Sequence, residues 1–397
     1  MSTTTNGKRW TLEHPEMGTG PIPIAPYVSK EYFELEREKV FKRTWLCVGR
    51  VEEIPDPGCY VVRDIAICGV SALIVRGKDR SVQGFHNVCV HRATKLVWDD
   101  QGCGNKFTCN YHGWTYATDG RLIGVPEEDM FFNLNKNDFC LTEIATDVWE
   151  GFIFINLDPQ EGLKEYLGEI VDLLGGYPFG ELPVCYSFAA ELNCNWKIIV
   201  DSQQEGYHAK MLHRRSLPGF LTNKDEPSRH ALDIQVYKRH RMISYFGNLE
   251  RQPTPIEMLA HKFGASVTKR DFSMENMPPG INPTRSPKWA FDEYVIFPNF
   301  HVLLFFGMCI THTVWPITVD RAIWEARAYL PRAENAGQRF GQEYGRVILR
   351  DAWLEDGSTL EASQIGVASG AVKHFILQDQ ELLIRHAYKV MEEHIRA

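Results

Sequence analysis

Six of the chain's cysteines and histidines fall into two tight groups whose spacing could hold metals. The first group is Cys89-Val-His91 with Cys109-Asn-Tyr-His112, a C-x-H pair and a C-x2-H pair. The second is His208 and His213, with Glu205 about one helical turn ahead of the first imidazole. Two neutral imidazoles and a carboxylate from elsewhere make a three-ligand face that leaves other positions of a metal open. That face is the one used to bind Fe(II) and activate O₂. Two histidines at this spacing also arise by chance, so the pair gains its weight from the group upstream.

In the upstream group each short loop offers one thiolate and one imidazole. A Cys2His2 set is a legitimate tetrahedral zinc site, but zinc fingers put Cys with Cys and His with His. Mixed loops suit a [2Fe-2S] cluster in which two thiolates take one iron and two imidazoles the other. The flanking Gly102-Cys103-Gly104 gives backbone freedom, and Gly113-Trp114-Thr115-Tyr116 gives a close turn and aromatic cover. Cys103 breaks the mixed symmetry and is expected to shield the site or fill a gap.

These groups must be positioned by a chain of 397 residues, long enough for two domains with a large core. The apolar share of 44% and charged share of 24% are those of an ordinary globular protein. A net charge of -8 argues against nucleic acid or an anionic membrane as partner. Apolar runs such as 302–310 are too short to cross a bilayer, and the polar first residues do not resemble a secretion signal. A cytoplasmic, reducing location is therefore expected, with the ten cysteines serving as ligands or core residues.

Along the chain, Ser29 is expected to cap a helix through Phe41. Residues 44–158 show short β-like runs split by turn pairs, the pattern of a small all-β domain. From 159 to 397 the pattern is mixed: a helix over 161–174, then strand-like pieces at 186–192, 233–237, 242–246, 294–297, 301–309 and 321–329. Long helices are expected near 333–354 and 373–396, and mobile loops at 221–229 and 273–288. The fold class is α+β, with residues 1–43 packing as an N-terminal segment on the second domain.

Cys89-x-His91-Arg-Ala with Cys109-x-Tyr-His112-Gly-Trp resembles the Rieske motif of the non-haem iron ring-hydroxylating oxygenases, in their catalytic α subunit. Asn195-Trp-Lys197, Asp201, Glu205, Tyr207-His208 and His213 are similar to the same family's mononuclear iron motif. The resemblance covers most of the chain from about residue 30 onward. It implies an N-terminal Rieske [2Fe-2S] domain bound by Cys89, His91, Cys109 and His112. It also implies a C-terminal helix-grip domain with a long antiparallel sheet and a head-to-tail homotrimer. Glu205 takes the position of the carboxylate that bridges His112 of one subunit to His208 of the next, where many relatives have Asp. Ser202 stands where the family commonly has Asn. Tyr207, beside a ligand, is a candidate proton or hydrogen-bond contributor.

The third iron ligand in the family is an Asp far downstream. The segment Ala352-Trp-Leu-Glu-Asp356 followed by Glu361 resembles its acidic stretch and selects Asp356 over Asp351 and Asp379. On a regular helix His208 and His213 would lie about 140° apart, so the helix must distort or end there. The implied activity is that of an O₂-dependent oxygenase using mononuclear Fe(II). Its electrons would come from a ferredoxin or NAD(P)H-dependent reductase through the cluster. The strand after Asn299 is apolar on both faces, so the pocket is expected to be apolar. Leu303 and Phe305 would line it, with Phe306 on the alternate face and Asn299 and His301 as polar handles. A small aromatic substrate is expected, to be hydroxylated or oxidatively dealkylated. A betaine-like alkylammonium substrate is the alternative, and it would require an aromatic cage or an acidic wall.

Overall fold

The structure, a computed structural model, describes residues 9–224, 226, 230–264, 277–305 and 307–396. The chain divides into two compact units, residues 37–166 and residues 1–36 with 167–397.

The first unit is built from ten short strands in the described residues. In chain order they are β1 (Leu46–Arg50), β2 (Cys59–Ile65), β3 (Val70–Arg76), β4 (Val82–His86), β5 (Gln101–Cys103), β6 (Lys106–Thr108), β7 (Thr115–Ala117), β8 (Leu122–Gly124), β9 (Glu143–Trp149) and β10 (Phe152–Asn156). Seven of them make an antiparallel sheet in the order β1–β10–β9–β4–β3–β2–β5, and β6–β7–β8 make a separate three-stranded sheet. β10 is buried along its whole length, as its unbroken Phe-Ile-Phe-Ile run requires. The core joins Leu73, Phe85, Phe107 and Tyr116 to Cys89 and Cys109.

Cys103 departs from the sequence expectation. It lies on the edge strand β5 directly opposite Cys59 of β2, and the two are joined as a disulfide. The backbones meet closely here because glycines flank both cysteines. A Cβ at Gly58, whose φ is +86°, would sit 2.1 Å from the Gly104 carbonyl oxygen. Cys103 is thus a cross-strand link rather than a shield, and this pair is not kept as thiols.

In the second unit a four-residue helix at Trp10–Glu13 and a short strand at Ile22–Pro23 precede α1 (Lys30–Leu35), where Ser29 Oγ accepts the Tyr32 amide at 3.0 Å. Its other main elements are β11 (Val184–Leu192), α2 (Trp196–Ser202), α3 (Ala209–Leu212), β12 (Ala231–Val236), β13 (Arg241–Phe246), α4 (Pro255–Gly264), β14 (Trp289–Ile296), β15 (Phe300–Phe305), β16 (Met308–Thr318), β17 (Arg321–Leu330), α5 (Ala336–Ala368) and α6 (Leu382–Arg396). The strands form one antiparallel sheet in the order β11–β17–β16–β15–β14–β13–β12. Together the two units are α+β. Among the described residues no helix is long and apolar enough to cross a membrane.

Several boundaries differ from the sequence reading for identifiable reasons. The apolar run 301–309 is two strands, because Gly307 turns the chain with φ +68°. α5 runs past the expected end at 354 and through Gly357-Ser358-Thr359, residues of low helix propensity. The two hydroxyls bond back to the Glu355 and Asp356 carbonyls at 2.6 and 3.0 Å, so they do not compete for the backbone. The 161–174 helix breaks at Gly168, where φ is +52°. α6 begins only at Leu382, since His374–Phe375 pair with Ile22–Pro23. Of the expected mobile loops, residues 225, 227–229 and 273–276 lie outside the described residues.

At the root of α2 is a buried ion pair. Lys197 Nζ bonds a Glu36 carboxylate oxygen, and Trp196 Nε1 donates to the other oxygen at 2.8 Å. Both charged side chains are buried. Removing one partner leaves an uncompensated buried charge, so Lys197→Met should cost about 3–5 kcal/mol of unfolding free energy. Adding Glu36→Leu should recover more than half of that loss in urea denaturation. A single-variant loss no larger than the double-variant loss would show the pair to be unimportant.

Candidate active site

The cysteine–histidine loops fold on one plan despite their different spacing. The Cys89 amide donates to the Thr94 carbonyl at 2.8 Å, and the Ala93 amide to the Cys89 carbonyl at 2.9 Å. In the second loop the Cys109 amide donates to Trp114 at 2.8 Å, and the Gly113 amide to Cys109 at 2.9 Å. The corresponding fifth residues, Ala93 and Gly113, both take positive φ, +57° and +75°. Matching hairpins therefore present both thiols from the core and both imidazoles from the loop tips. The His91 and His112 rings lie 4.6 Å apart, and His91 stacks on Trp114 at 4.9 Å. Tyr116 OH sits 3.3 Å from Cys89 Sγ and accepts the Val90 amide at 3.2 Å. Burial, the largest influence, pushes the Cys89 thiol up; metal coordination would remove that proton.

Two observations test the fit to a cluster. Among the described residues, His91 Nδ1 is buried with no hydrogen-bond partner, a donor atom held where a metal would satisfy it. The four donors also do not form a set within 4.8 Å of one another, which among the described residues only His208, His213 and Asp356 do. A single tetrahedral zinc needs its four donors within about 4 Å of each other. The wider spread with two thiols and two imidazoles fits a binuclear [2Fe-2S] group.

In the second unit α2 ends at Ser202, a non-helical turn follows, and His208 and His213 flank the four-residue helix α3. That break brings the two Nε2 atoms to 3.3 Å from each other. Asp356, on α5, places Oδ1 at 3.1 Å from His213 Nε2 and 3.7 Å from His208 Nε2. Asp351 is instead exposed against Arg350. Asp379 takes the Trp10 and Thr11 amides at 2.9 and 3.0 Å.

The far nitrogen of each imidazole meets a carboxylate. His208 Nδ1 bonds Glu205, and His213 Nδ1 lies 3.2 Å from Glu355 Oε2. Each contact fixes the tautomer with the proton on Nδ1 and the Nε2 lone pair facing inward. Glu205 also accepts the backbone amides of Tyr207 and His208. Burial raises its carboxyl pKa, but these hydrogen bonds outweigh it and hold the group below its usual value. Glu355 is further bonded by Ser216 Oγ. Sequence reasoning missed Glu355; its only signal was an acidic neighbour to the proposed ligand.

A cavity of about 840 Å³ reaches the triad. Its floor is one face of the sheet, where Tyr245, Phe291, Glu293, Leu303, Phe305 and Ile310 alternate with residues of the other face. Its roof is a stripe of α5, with Gln342, Gly345, Leu349, Ala352, Trp353 and Asp356 at helical spacing.

Three expected site residues lie elsewhere. Tyr207 is 60% exposed and does not line the cavity, while its main-chain amide donates to Glu205. Asn299 ties the β15–β16 hairpin through its Nδ2 to the Val314 carbonyl at 2.9 Å. His301 is fully buried beyond the cavity's end, with Nδ1 at 2.8 Å from Glu293. The alternation put Asn299 and His301 on the correct face but too far along the strand. Leu303 and Phe305 do line the cavity, and Phe306 lies outside the described residues.

Known proteins match both units. Residues 179–397 match the family model "Ring hydroxylating alpha subunit (catalytic domain)", and residues 44–137 match "Rieske [2Fe-2S] domain". The carnitine monooxygenase oxygenase subunit of Acinetobacter baumannii is 29% identical over 277 residues, 66% of this chain and 69% of that one. The fold resembles a quaternary ammonium Rieske monooxygenase in complex with L-carnitine, with TM-score 0.73, 22% identity and coverage of 94% and 95%. It equally resembles naphthalene 1,2-dioxygenase from Rhodococcus sp., with TM-score 0.75, 21% identity and coverage of 98% of both chains.

Because Glu355 holds His213 from behind, Glu355→Ala should weaken Fe(II) affinity about 10- to 100-fold. Chelator competition measures this, and the visible spectrum of the cluster should be unchanged. Unaltered affinity would remove Glu355 from the site.

Proposed function

The chain belongs to the Rieske ring-hydroxylating oxygenase α subunits, and from that premise we propose that His208, His213 and Asp356 hold its mononuclear Fe(II) while Cys89, His91, Cys109 and His112 hold its [2Fe-2S] cluster. When bound, the iron supplies O₂ binding and activation, and the cluster supplies one-electron storage. The convergence of two Nε2 atoms and one Asp356 oxygen within 4.8 Å carries this reading.

The residues around these groups have separable tasks. Glu205 and Glu355 keep the Nδ1 protons in place, so the ligand tautomers are set before any metal arrives. The α5 stripe and the sheet face line the space beside the triad in which the substrate would sit. Members of the family receive electrons from a ferredoxin or reductase partner. We extend the reading to a homotrimer in which Glu205 links His208 to His112 of the neighbouring subunit. The hydrogen bond from His208 Nδ1 to Glu205 supports that role.

The substrate is a small organic molecule that is hydroxylated or oxidatively dealkylated at a C–H bond. The cavity supports an alkylammonium compound best. Its wall combines Tyr245, Phe291 and Phe305 with the Glu293 carboxylate, the cage and acidic wall that a cation needs. The carnitine-oxidising relative points the same way. An aromatic hydrocarbon is the second reading, supported by Leu303, Ile310 and Leu349 on the same wall and by the likeness in fold to naphthalene dioxygenase.

Anaerobically purified protein should contain about three irons and two acid-labile sulfides per protomer. Zinc in place of iron and sulfide would refute the assignment. Supplied with a ferredoxin and reductase, it should show substrate-dependent O₂ uptake with betaine-type compounds in preference to arenes. His208→Ala should keep the red-brown cluster spectrum and lose turnover. Glu205→Gln should slow single-turnover electron transfer while both metal centres stay loaded.

A further inference from the structure

The triad is reached from two sides. Ser202, Glu205, His208 and Asp356 line the large cavity described above, and the same four residues line a second cavity of about 350 Å³. The second cavity runs between α2, the 356–363 stretch of α5 and the segment that precedes α6. Ser363 and Ile376, both exposed, stand at its outer end, so it opens at the surface there. His208 and Asp356 stand at its inner end.

The walls of the two cavities differ in kind. The sheet face gives the large one Leu303, Phe305 and Ile310, whereas the second carries the carboxyl groups of Asp201 and Glu381 and the hydroxyls of Ser202, Thr359 and Ser363. A cavity of this size with several polar partners holds water. Asp201 is half-buried, with the cavity on its open side. The Tyr27 hydroxyl, which burial keeps protonated, donates to Asp201 Oδ2 at 2.6 Å. The charged groups that face Asp201 are Lys197 of its own helix, Arg241 of β13 and Glu381 from the turn before α6. Lys197 is also bonded to Glu36, and Arg241 also faces Glu293. Burial, the largest influence, outweighs the Tyr27 hydrogen bond and the two cations and pushes Asp201 up to about 6. Glu381 is raised too, first by burial and then by the Glu205 charge.

Oxygenation needs protons as well as electrons. Turning R–H and O₂ into R–OH and water consumes two electrons, which the reductase partner supplies, and two protons, which must come from solvent. A substrate lying in the large cavity covers its side of the triad. The second cavity reaches the same residues from the other side, and a carboxyl that exchanges its proton near neutral pH lies along it.

We propose that the second cavity is the proton inlet of the site and that Asp201, oriented by Tyr27, holds the proton that passes along it. Asp201 gives its proton to cavity water beside His208 and Asp356, is left as a carboxylate facing Arg241 and Lys197, and regains a proton from solvent through the outer end. No bond other than O–H is made or broken at Asp201. The proposal rests on the oxygenase reading above and adds to it a separate way in for protons.

Infrared difference spectra of the iron-loaded full chain test the inlet without turnover. They should show a protonated carboxyl band that titrates at about 6, shifts promptly in D₂O and is missing in Asp201→Asn. A band that does not follow D₂O would overturn the inlet. Turnover tests the proton's use. With the betaine-type compound that supports the fastest O₂ uptake, reduced wild type should reoxidise its cluster at a rate that falls as pH rises through about 6, since only protonated Asp201 can give a proton. Asp201→Asn, which still accepts the Tyr27 hydroxyl, should be about 10-fold slower or more near that pH and lack the fall, with iron, sulfide and substrate affinity unchanged. Asp201→Ala should be equally slow and regain rate when acetate is added to fill the space. An unchanged rate in Asp201→Asn, or slow variants that acetate does not rescue, would overturn the proposal and leave the oxygenase reading standing. No O₂ uptake by wild type with any compound would overturn both.

Discussion

Two imidazoles five residues apart can face one point only if the chain between them does not continue the helix that precedes them. Here the helix ends at Ser202, a non-helical stretch follows, and α3 is a single turn with a histidine at each end. The start of this arrangement is fixed from outside. Asn195 caps α2 by accepting the Lys197 amide at 3.0 Å, while its own amide donates to Gln364 Oε1 at 2.8 Å. Glu361 holds the Asn193 amide at 2.8 Å. Both acceptors belong to α5, the helix that also brings Asp356. One helix therefore positions the Asp356 carboxylate and the root of the segment carrying the imidazoles. The geometry of three atoms reduces to the register of one helix against one loop.

The same helix closes the cavity, and this explains its length. Side chains from Gly341 to Asp356 face the sheet at helical spacing, while residues 360–364 reach the loop before α2. A shorter helix would supply the roof or the anchor, not both. The sheet contributes the complementary period. Alternate residues of β13 to β17 share the sheet face on which the cavity lies, so antiparallel register decides which side chains meet across it. Phe291 and Tyr245 are neighbours because their strands pair there, although they lie far apart in the chain.

What was legible in the sequence follows from this. Candidate metal-binding side chains on tight loops are local, so Cys89 with His91, Cys109 with His112, and His208 with His213 stand out by spacing alone. The antiparallel class and most strands were visible as short apolar runs between turn residues. The carboxylates that act through tertiary contacts were not visible: Glu355 behind His213, and Glu293 on the wall, look like any acidic residue in a helix or strand. Alternation gave Asn299 and His301 the right face of β15 but could not say where along the strand the cavity ends. Tyr207 was named for its place beside a ligand, yet the turn that aims His208 inward leaves Tyr207 facing solvent. The Cys59–Cys103 link was hidden for another reason, since only pairing of β2 with β5 makes those cysteines opposite.

A buried carboxylate usually acquires its counter-charge from the protein, as Glu36 does from Lys197 and Glu257 from Arg251. Around Glu293 the imidazoles contribute hydrogen bonding rather than charge, because His301 and His312 lie in a dry layer in which an imidazolium is strongly disfavoured. Arg241 supplies positive charge to both Asp201 and Glu293, and burial chiefly pushes Asp201 up to about 6. Buried charge is costly in an apolar wall, so Glu293, His301, Arg241 and Asp201 act as one network rather than as separate contacts.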